Sequence, residues 1–420
     1  MKRNVIKKRG VKKLGLSWEL EPLQNELFYV EEQTAKNIQT KIKTATHLLF
    51  EGENYFSLQH LLLDYTEKIN LIYIDPPYNT GFKQDQEGFF YHDKRSEKHH
   101  KYKHSAWLNF MFHRLVIAKK LLASDAFMFI SIDENEFAQL KLLCDEIFGE
   151  DNFIHYLIWK KRSTGGQVKD GSIISQTEFI LIYAKNKKYA KLNKVCNPKA
   201  GNEKWRDFRK SGGQWQQRYR PKQHFPFYYD EVTAELTLKR INDQQIEIIP
   251  QNAQGEPGFW ENGLETTAKR LNNNELKIFL NPKTKKYKIL QLEMASEYQN
   301  AGNFIDIPSV NGSVEIKMFD LAFNNVKPLS LIKYILALAS GENSIVLDFF
   351  AGSGSTAQAV IEWNTENNYQ QTCIVCTNNE YNLCEEVTYP RLKRVIKGYV
   401  NSQKKKYSGH KQNLKYFKVS

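Results

Sequence analysis

Two short stretches of this 420-residue chain hold side chains at spacings that suit chemistry. The first is Asp75-Pro76-Pro77-Tyr78, which follows the apolar run Leu71-Ile72-Tyr73-Ile74 and leads into Asn79-Thr80-Gly81. Two consecutive prolines forbid a helix or a continued strand ladder. They also push Asp75 and Pro76 towards extended geometry. The expected result is a stiff turn at the end of a buried strand. It gathers a carboxylate, a main-chain carbonyl and an aromatic face, three groups suited to an aromatic amine. Asp-Pro-Pro is equally an ordinary turn, so the flanks and a second motif must decide.

The second stretch is Ile345-Val346-Leu347-Asp348-Phe349-Phe350-Ala351-Gly352-Ser353-Gly354-Ser355-Thr356-Ala357, read as a strand, a glycine turn and a helix start. Gly352 and Gly354 let the backbone approach a ligand closely, and Ser355 or Thr356 can cap the helix. Alone, Gly352-x-Gly354-x-x-Ala357 fits the degenerate dinucleotide fingerprint of a nicotinamide-dependent oxidoreductase. It is not a phosphate loop, because no Gly-Lys-Ser/Thr follows.

The elements that position these turns read as an α/β fold. A strand over Thr46–Asn54, a short helix carrying Phe56, Leu58, Leu61, Leu62 and Leu63, and the strand 71–74 make a βαβ unit. That implies a parallel sheet with a ligand crevice at the strand carboxyl ends. A helix over 107–122, a strand over 126–133 and a helix over 136–148 continue the pattern. Residues 156–159 and 178–183 suggest a hairpin at the sheet edge. Helical periodicity returns over 329–336. The crowded His99, His100 and His104 lack the partners of a metal site, so no metal is expected and a phosphate-facing loop is.

Hydrophobic residues make up 41% of the chain and aromatics 13%, which suits a folded protein. The net charge of +13 suggests a polyanionic partner. The five cysteines are too scattered for a disulfide framework, and no run approaches the roughly 20 apolar residues that cross a bilayer. The expectation is a cytoplasmic protein with no membrane partner. Between 204 and 229, basic and aromatic side chains interleave. Lys204, Arg206, Arg209, Lys210, Arg218, Arg220 and Lys222 would neutralise phosphates, while the aromatics stack on bases or build a small core. Residues 235–250 suggest a small antiparallel sheet.

Together the two motifs resemble the amino-group DNA methyltransferases that use S-adenosylmethionine. Their order, with the Asp75 motif first, resembles the permuted β group. Tyr73–Gly81, Ile130-Ser131-Ile132-Asp133-Glu134-Asn135-Glu136, Lys327-Pro328 and Cys376-Thr377-Asn378-Asn379-Glu380 are similar to the modification subunits of type III restriction–modification systems. The resemblance spans about 45–190 and 305–385. It implies a Rossmann-like, mostly parallel sheet with helices on both faces, plus an inserted target-recognition domain. It further implies that Asp75 and the Pro76 carbonyl, shaped by Pro77, accept the N–H bonds of adenine N6, and that Tyr78 stacks on the flipped base. S-adenosylmethionine would lie against Asp348, Phe350, Ala351, Gly352, Gly354, Ser355, Thr356, Lys327 and Pro328. Cytosine N4 is the rival amine, with Asp before Pro-Pro-Tyr leaning towards adenine. A silent DNA-specificity subunit is a further rival, opposed by the intact Asp75–Tyr78 set. Where relatives place a ribose-binding carboxylate at the end of the next strand, this chain has Thr377-Asn378-Asn379. DNA is the implied partner, with a restriction subunit and a second copy of the chain admissible.

The domain expectation is a basic arm over 1–45, a catalytic half over 46–190, a target-recognition insertion over 191–305, a cofactor-binding half over 306–400 and a basic tail over 401–420.

Overall fold

The apolar run that leads to Asp75 is an inner strand of a ten-stranded sheet. The computed structural model describes residues 27–40, 44–79, 103–162, 173–197 and 200–420. The arm 1–13, Thr80, Gly81, His99, His100 and the loop 163–166 lie outside them.

The chain divides into two compact units, Met1–Lys194 with Ala301–Ser420, and Val195–Asn300. The strands of the large sheet are β1 Val30–Glu32, β2 Thr46–Glu51, β3 Ile69–Ile74, β4 Leu122–Ile132, β5 Phe153–Lys160, β6 Thr177–Ala184, β7 Phe304–Asp306, β8 Ile345–Asp348, β9 Thr372–Thr377 and β10 Asn413–Val419. They lie in the order β1-β10-β2-β9-β8-β3-β4-β6-β5-β7. From β10 to β4 every neighbouring pair is parallel. Strands of this kind are covered on both faces, which is why β3 and β8 are near-continuous apolar runs instead of alternating ones.

The helices of this unit are α1 Asn54–Tyr65, α2 Lys103–Leu121, α3 Phe137–Phe148, α4 Val310–Lys317, α5 Leu329–Ala339, α6 Ser355–Asn367 and α7 Tyr389–Lys397. The chain leaves β3 through α2 towards β4, and leaves β8 through α6 towards β9, on the opposite side. The β3–β8 boundary is therefore the topological switch point, where an open α/β sheet forms its ligand crevice. Val346 pairs with Leu71 and Leu347 with Ile72, so the two turns that carry the candidate chemistry leave adjacent strand ends.

The structure corrects three expectations. The 401–420 segment is no tail, because its residues 413–419 form β10, with Leu414, Tyr416 and Val419 buried and Lys415 and Lys418 facing outward. The 1–45 arm is not wholly an arm, because β1 pairs antiparallel with β10. The β5–β6 hairpin forms but is internal: β6 pairs with β4, and β7 covers β5.

The second unit, Val195–Asn300, has short strands in small antiparallel sheets. Phe227–Tyr229 lies between Leu236–Thr237 and Ile246–Ile248, and Tyr287–Met294 lies between Leu276–Leu280 and Glu203–Asp207. Its core is Phe208, Phe227, Ile248, Trp260, Leu276 and Ile289. Phe208 stacks on Trp260 with ring centres 5.5 Å apart, and Phe227 meets the same indole edge-on at 5.3 Å.

Candidate active site

Asp75, Pro76, Pro77 and Tyr78 follow β3 without regular structure, and Trp107 of α2 donates its indole N–H to the Pro77 carbonyl at 2.6 Å. The turn is thus pinned from below by a helix. The Tyr78 hydroxyl donates to Asp75 Oδ1 at 2.6 Å, and Glu178 Oε2 of β6 lies 3.1 Å from the same hydroxyl. Lys327 Nζ donates to the Tyr78 oxygen and to Glu178 Oε2, both at 2.6 Å, and sits 3.1 Å from Asp75 Oδ1. Lys161 holds the other Glu178 oxygen at 2.7 Å. The Lys327 ammonium also lies 5.0 Å from the ring centres of Tyr78 and Trp159.

Burial pushes the Asp75 carboxyl up, against the pull of Lys327, and the neighbouring Glu178 charge adds to the rise. Burial works in the same direction on Glu178, but Lys327 and Lys161 outweigh it and hold this carboxyl below its ordinary range. For Lys327, burial favours the neutral amine, yet Asp75 and Glu178 prevail and keep the ammonium charged. The Tyr78 phenol is driven far up, first by burial and then by Asp75. The cluster therefore contains a reluctant carboxylate, a firm carboxylate, a firm ammonium and a neutral phenol.

Lys327 reaches this cluster because α4 lets its segment pass. A Cβ at Gly312 would lie 2.1 Å from the Val326 carbonyl oxygen, so a side chain there would displace the backbone just before Lys327. Pro328 caps α5 with its carbonyl, 3.1 Å from the Leu331 N–H.

The glycine turn follows β8. Gly352 and Gly354 have φ of +50° and +84°, in the left-handed region that favours glycine. Asp348 holds the turn from inside: its carboxylate accepts from the Phe350 N–H at 2.9 Å and from the Thr356 hydroxyl at 2.5 Å. Burial raises the Asp348 pKa to about 7 against those two donors. The expected helix cap does not form, because Thr356 turns to Asp348 and Ser355 accepts from Arg391. Arg391 is fully buried and also donates to the Ser353 carbonyl and hydroxyl and to Gln358. Ser353–Thr356 are buried, whereas Gly352 keeps partial access to solvent. Phe350 and Ala351 are 9% and 7% exposed. Asn54 of α1 donates to the Phe349 carbonyl at 2.7 Å and accepts from Arg114 of α2.

The residues expected for DNA all lie in the second unit. Lys204, Arg218, Arg220 and Lys222 are exposed, and Arg206, Arg209 and Lys210 are half-buried. Arg206 is ion-paired with Glu293 and Glu261 at 2.5 and 3.3 Å. Lys210, Gly212, Gly213, Tyr219, Arg220 and Glu261 help to line an open cavity of about 580 Å³. Among the described residues, no group of three His, Cys, Asp or Glu could hold a metal, and no helix is long and apolar enough to cross a membrane.

Glu178, Lys161, Asn54, Arg114 and Arg391 escaped the sequence reading. Each is a polar residue in or next to an otherwise ordinary element, and its partners at the site come from distant segments. Glu178 gave the faintest signal, as a carboxylate opening an apolar strand.

Residues 69–388 match the family model described as DNA methylase. The StyLTI modification subunit, a type III restriction–modification protein of Salmonella typhimurium, is 33% identical over 84% of this chain and 57% of its own length. The type II methyltransferase M.KpnI of Klebsiella pneumoniae is 30% identical over 96% of this chain and 97% of its own. The chain spans between 51% and 64% of the length of four type III modification subunits it matches. Among solved structures, the PvuII DNA methyltransferase, described as cytosine-N4-specific, aligns at 11% identity and a TM-score of 0.42 over 83% of this chain and 86% of that one.

Proposed function

This chain belongs to the DNA methylase family, and from that premise we propose that it methylates the N6 amine of adenine in duplex DNA, with S-adenosylmethionine as donor, in the cytoplasm and as the modification component of a restriction–modification system. Family membership removes the oxidoreductase reading of the glycine turn. The observation that carries the rest is the meeting of the Asp75 turn and the Gly352 turn at the carboxyl ends of adjacent parallel strands.

The glycine turn suits the donor. Gly352 keeps access to solvent where the neighbouring positions of the turn are buried, and a Cβ there would touch the Phe323 ring at 3.6 Å. Bare backbone beside the Phe323 ring can receive a nucleoside with a charged amino-acid tail. When bound, S-adenosylmethionine supplies a methyl group on a sulfonium and leaves as a neutral thioether. Phe350, Ala351 and Gly352 would hold it, while Asp348, Gly354, Ser355 and Thr356 shape the turn; Lys327 is given over to the Asp75 cluster, and Pro328 caps α5.

The amine of adenine is a poor nucleophile because its lone pair is delocalised into the ring. Asp75 and the Pro76 carbonyl would accept its two N–H bonds and favour a localised lone pair. As the nitrogen–carbon bond forms, positive charge develops on the nitrogen, and the Asp75 carboxylate stabilises it electrostatically. The nitrogen then gives one proton to Asp75, whose raised pKa favours acceptance, and Asp75 passes it to water. Tyr78, whose hydroxyl sits on Asp75 in this structure, would present its ring to the extruded base. Lys204, Arg206, Arg209, Lys210, Arg218, Arg220 and Lys222 would meet the phosphates.

The test is incubation with labelled S-adenosylmethionine and duplex DNA, followed by nucleoside mass spectrometry. N6-methyladenine is the expected product. N4-methylcytosine would reassign the base, and no label in DNA would overturn the reading.

A further inference from the structure

Asp75 does not stand alone in the site. We propose that Glu178 is a positioning residue for the methyl transfer, drawing the shared Lys327 ammonium towards itself and so weakening its ion pair with Asp75, which leaves more of the Asp75 charge to the amine. The proposal rests on the methyltransferase reading of the Asp75 turn.

The distances carry it. Lys327 lies between two carboxylates and is nearer to Glu178, at 2.6 Å, than to Asp75, at 3.1 Å. Lys161 fixes the second Glu178 oxygen at 2.7 Å, so Glu178 cannot swing away from Lys327 without breaking a second ion pair. Glu178 is 6% exposed and Lys327 9%, so water screens neither charge well.

An ammonium paired with Asp75 alone, and not shared with Glu178, would do two kinds of harm. It would occupy the oxygen that must accept an amine N–H, and it would place positive charge beside a nitrogen becoming cationic. Glu178 supplies the competing partner that keeps the cluster balanced, with two carboxylates against Lys327 and Lys161. A carboxylate buried next to another carboxylate is costly unless a cation offsets it. Here the offsetting cation is shared with the reacting group, which ties the two carboxylates together. The other titratable groups facing the cluster among the described residues are Tyr78, Tyr73, Asp133 and Asp348.

The experiment compares wild type, Glu178→Gln, Lys327→Met and the double variant. It reads single-turnover methyl transfer against pH, binding of S-adenosylmethionine and DNA, and thermal unfolding. Glu178→Gln keeps the shape but removes the charge. Its rate at neutral pH should fall roughly tenfold to a hundredfold, by analogy with the loss of partners that orient metal ligands, with DNA affinity unchanged. With Lys327 then committed to Asp75, and the like charge gone, the acid limb of its pH–rate profile should move to lower pH. Lys327→Met should move that limb to higher pH, and it reads the same coupling if Glu178→Gln does not fold. The double variant should be faster than Glu178→Gln, because the unbalanced ammonium is gone. An unmoved acid limb, or a double variant no faster than Glu178→Gln, would reduce Glu178 to a structural residue and overturn the proposal. Failure of wild type itself to methylate any DNA would instead overturn the function on which it rests.

Discussion

The two units treat charge in opposite ways. In the large unit, Glu178, Lys327, Asp348 and Arg391 are buried and Asp75 is partly buried, and each is fixed by named partners within hydrogen-bond reach. Among the described residues of Val195–Asn300 the buried core holds the aromatics Phe208, Phe227 and Trp260 and no charged residue, and most of the cations are turned outward. The contrast separates two functions. Buried charges act at short range, where one atom's displacement changes the chemistry. Exposed cations act through their number and are screened by salt. Changes in the first unit should therefore be large and specific, and charge changes in the second small and cumulative.

The largest challenge to that contrast comes from the core of the second unit. Trp260→Ala removes the indole on which Phe208 and Phe227 pack, and should cost about 3–5 kcal/mol. Denaturant unfolding should register it in the second unit, with DNA affinity lost and S-adenosylmethionine binding retained. Loss of both would mean that the two units are not energetically separate.

A middle-sized effect tests the buried acid of the first unit. The folded pKa of Asp348, about 7, lies above its ordinary value of 3.8, so the folded state binds the extra proton between those limits. Its contribution to stability therefore falls as pH rises through that window and levels off above about 7. Asp348→Asn cannot titrate, and its stability should lack this fall when urea midpoints are compared from pH 4 to 8. Parallel curves for the two proteins would deny the burial cost assigned to this carboxyl.

The smallest effects belong to the exposed cations. Neutralising Arg218 and Arg220 together should weaken DNA binding and flatten the slope of log affinity against log salt, by about 0.9 for each phosphate that the protein no longer neutralises. The same weakening should appear on unrelated DNA sequences. An unchanged slope would leave both residues as solvated surface.

Much of the large unit is legible in the sequence because its signals are local. Asp75-Pro76-Pro77 dictates a turn whatever surrounds it, and the apolar runs at 71–74 and 345–347 have the length and continuity of covered parallel strands. The second unit offers only alternation and composition. Phe208 and Phe227 form a core, while Lys204, Arg218 and Lys222 face solvent. What escapes is non-local. Asn413–Val419 has the lysines of a tail, and only its pairing with β2 and β1 explains why Leu414, Tyr416 and Val419 alternate with them. Lys327 reads as a cofactor-binding residue from its place before Pro328. In the fold its ammonium lies on Asp75, Tyr78 and Glu178, a meeting of distant segments that spacing alone does not encode.

The central claim is that the Asp75 carboxylate serves the chemical step itself, and single-turnover methyl transfer by Asp75→Asn, with donor affinity measured on the same protein, tests it most directly. The account predicts a rate lower by roughly 10²–10³, as for other groups that stabilise developing charge, with S-adenosylmethionine bound as tightly as by wild type. Transfer at the wild-type rate, or a loss wholly explained by weaker donor binding, would contradict it.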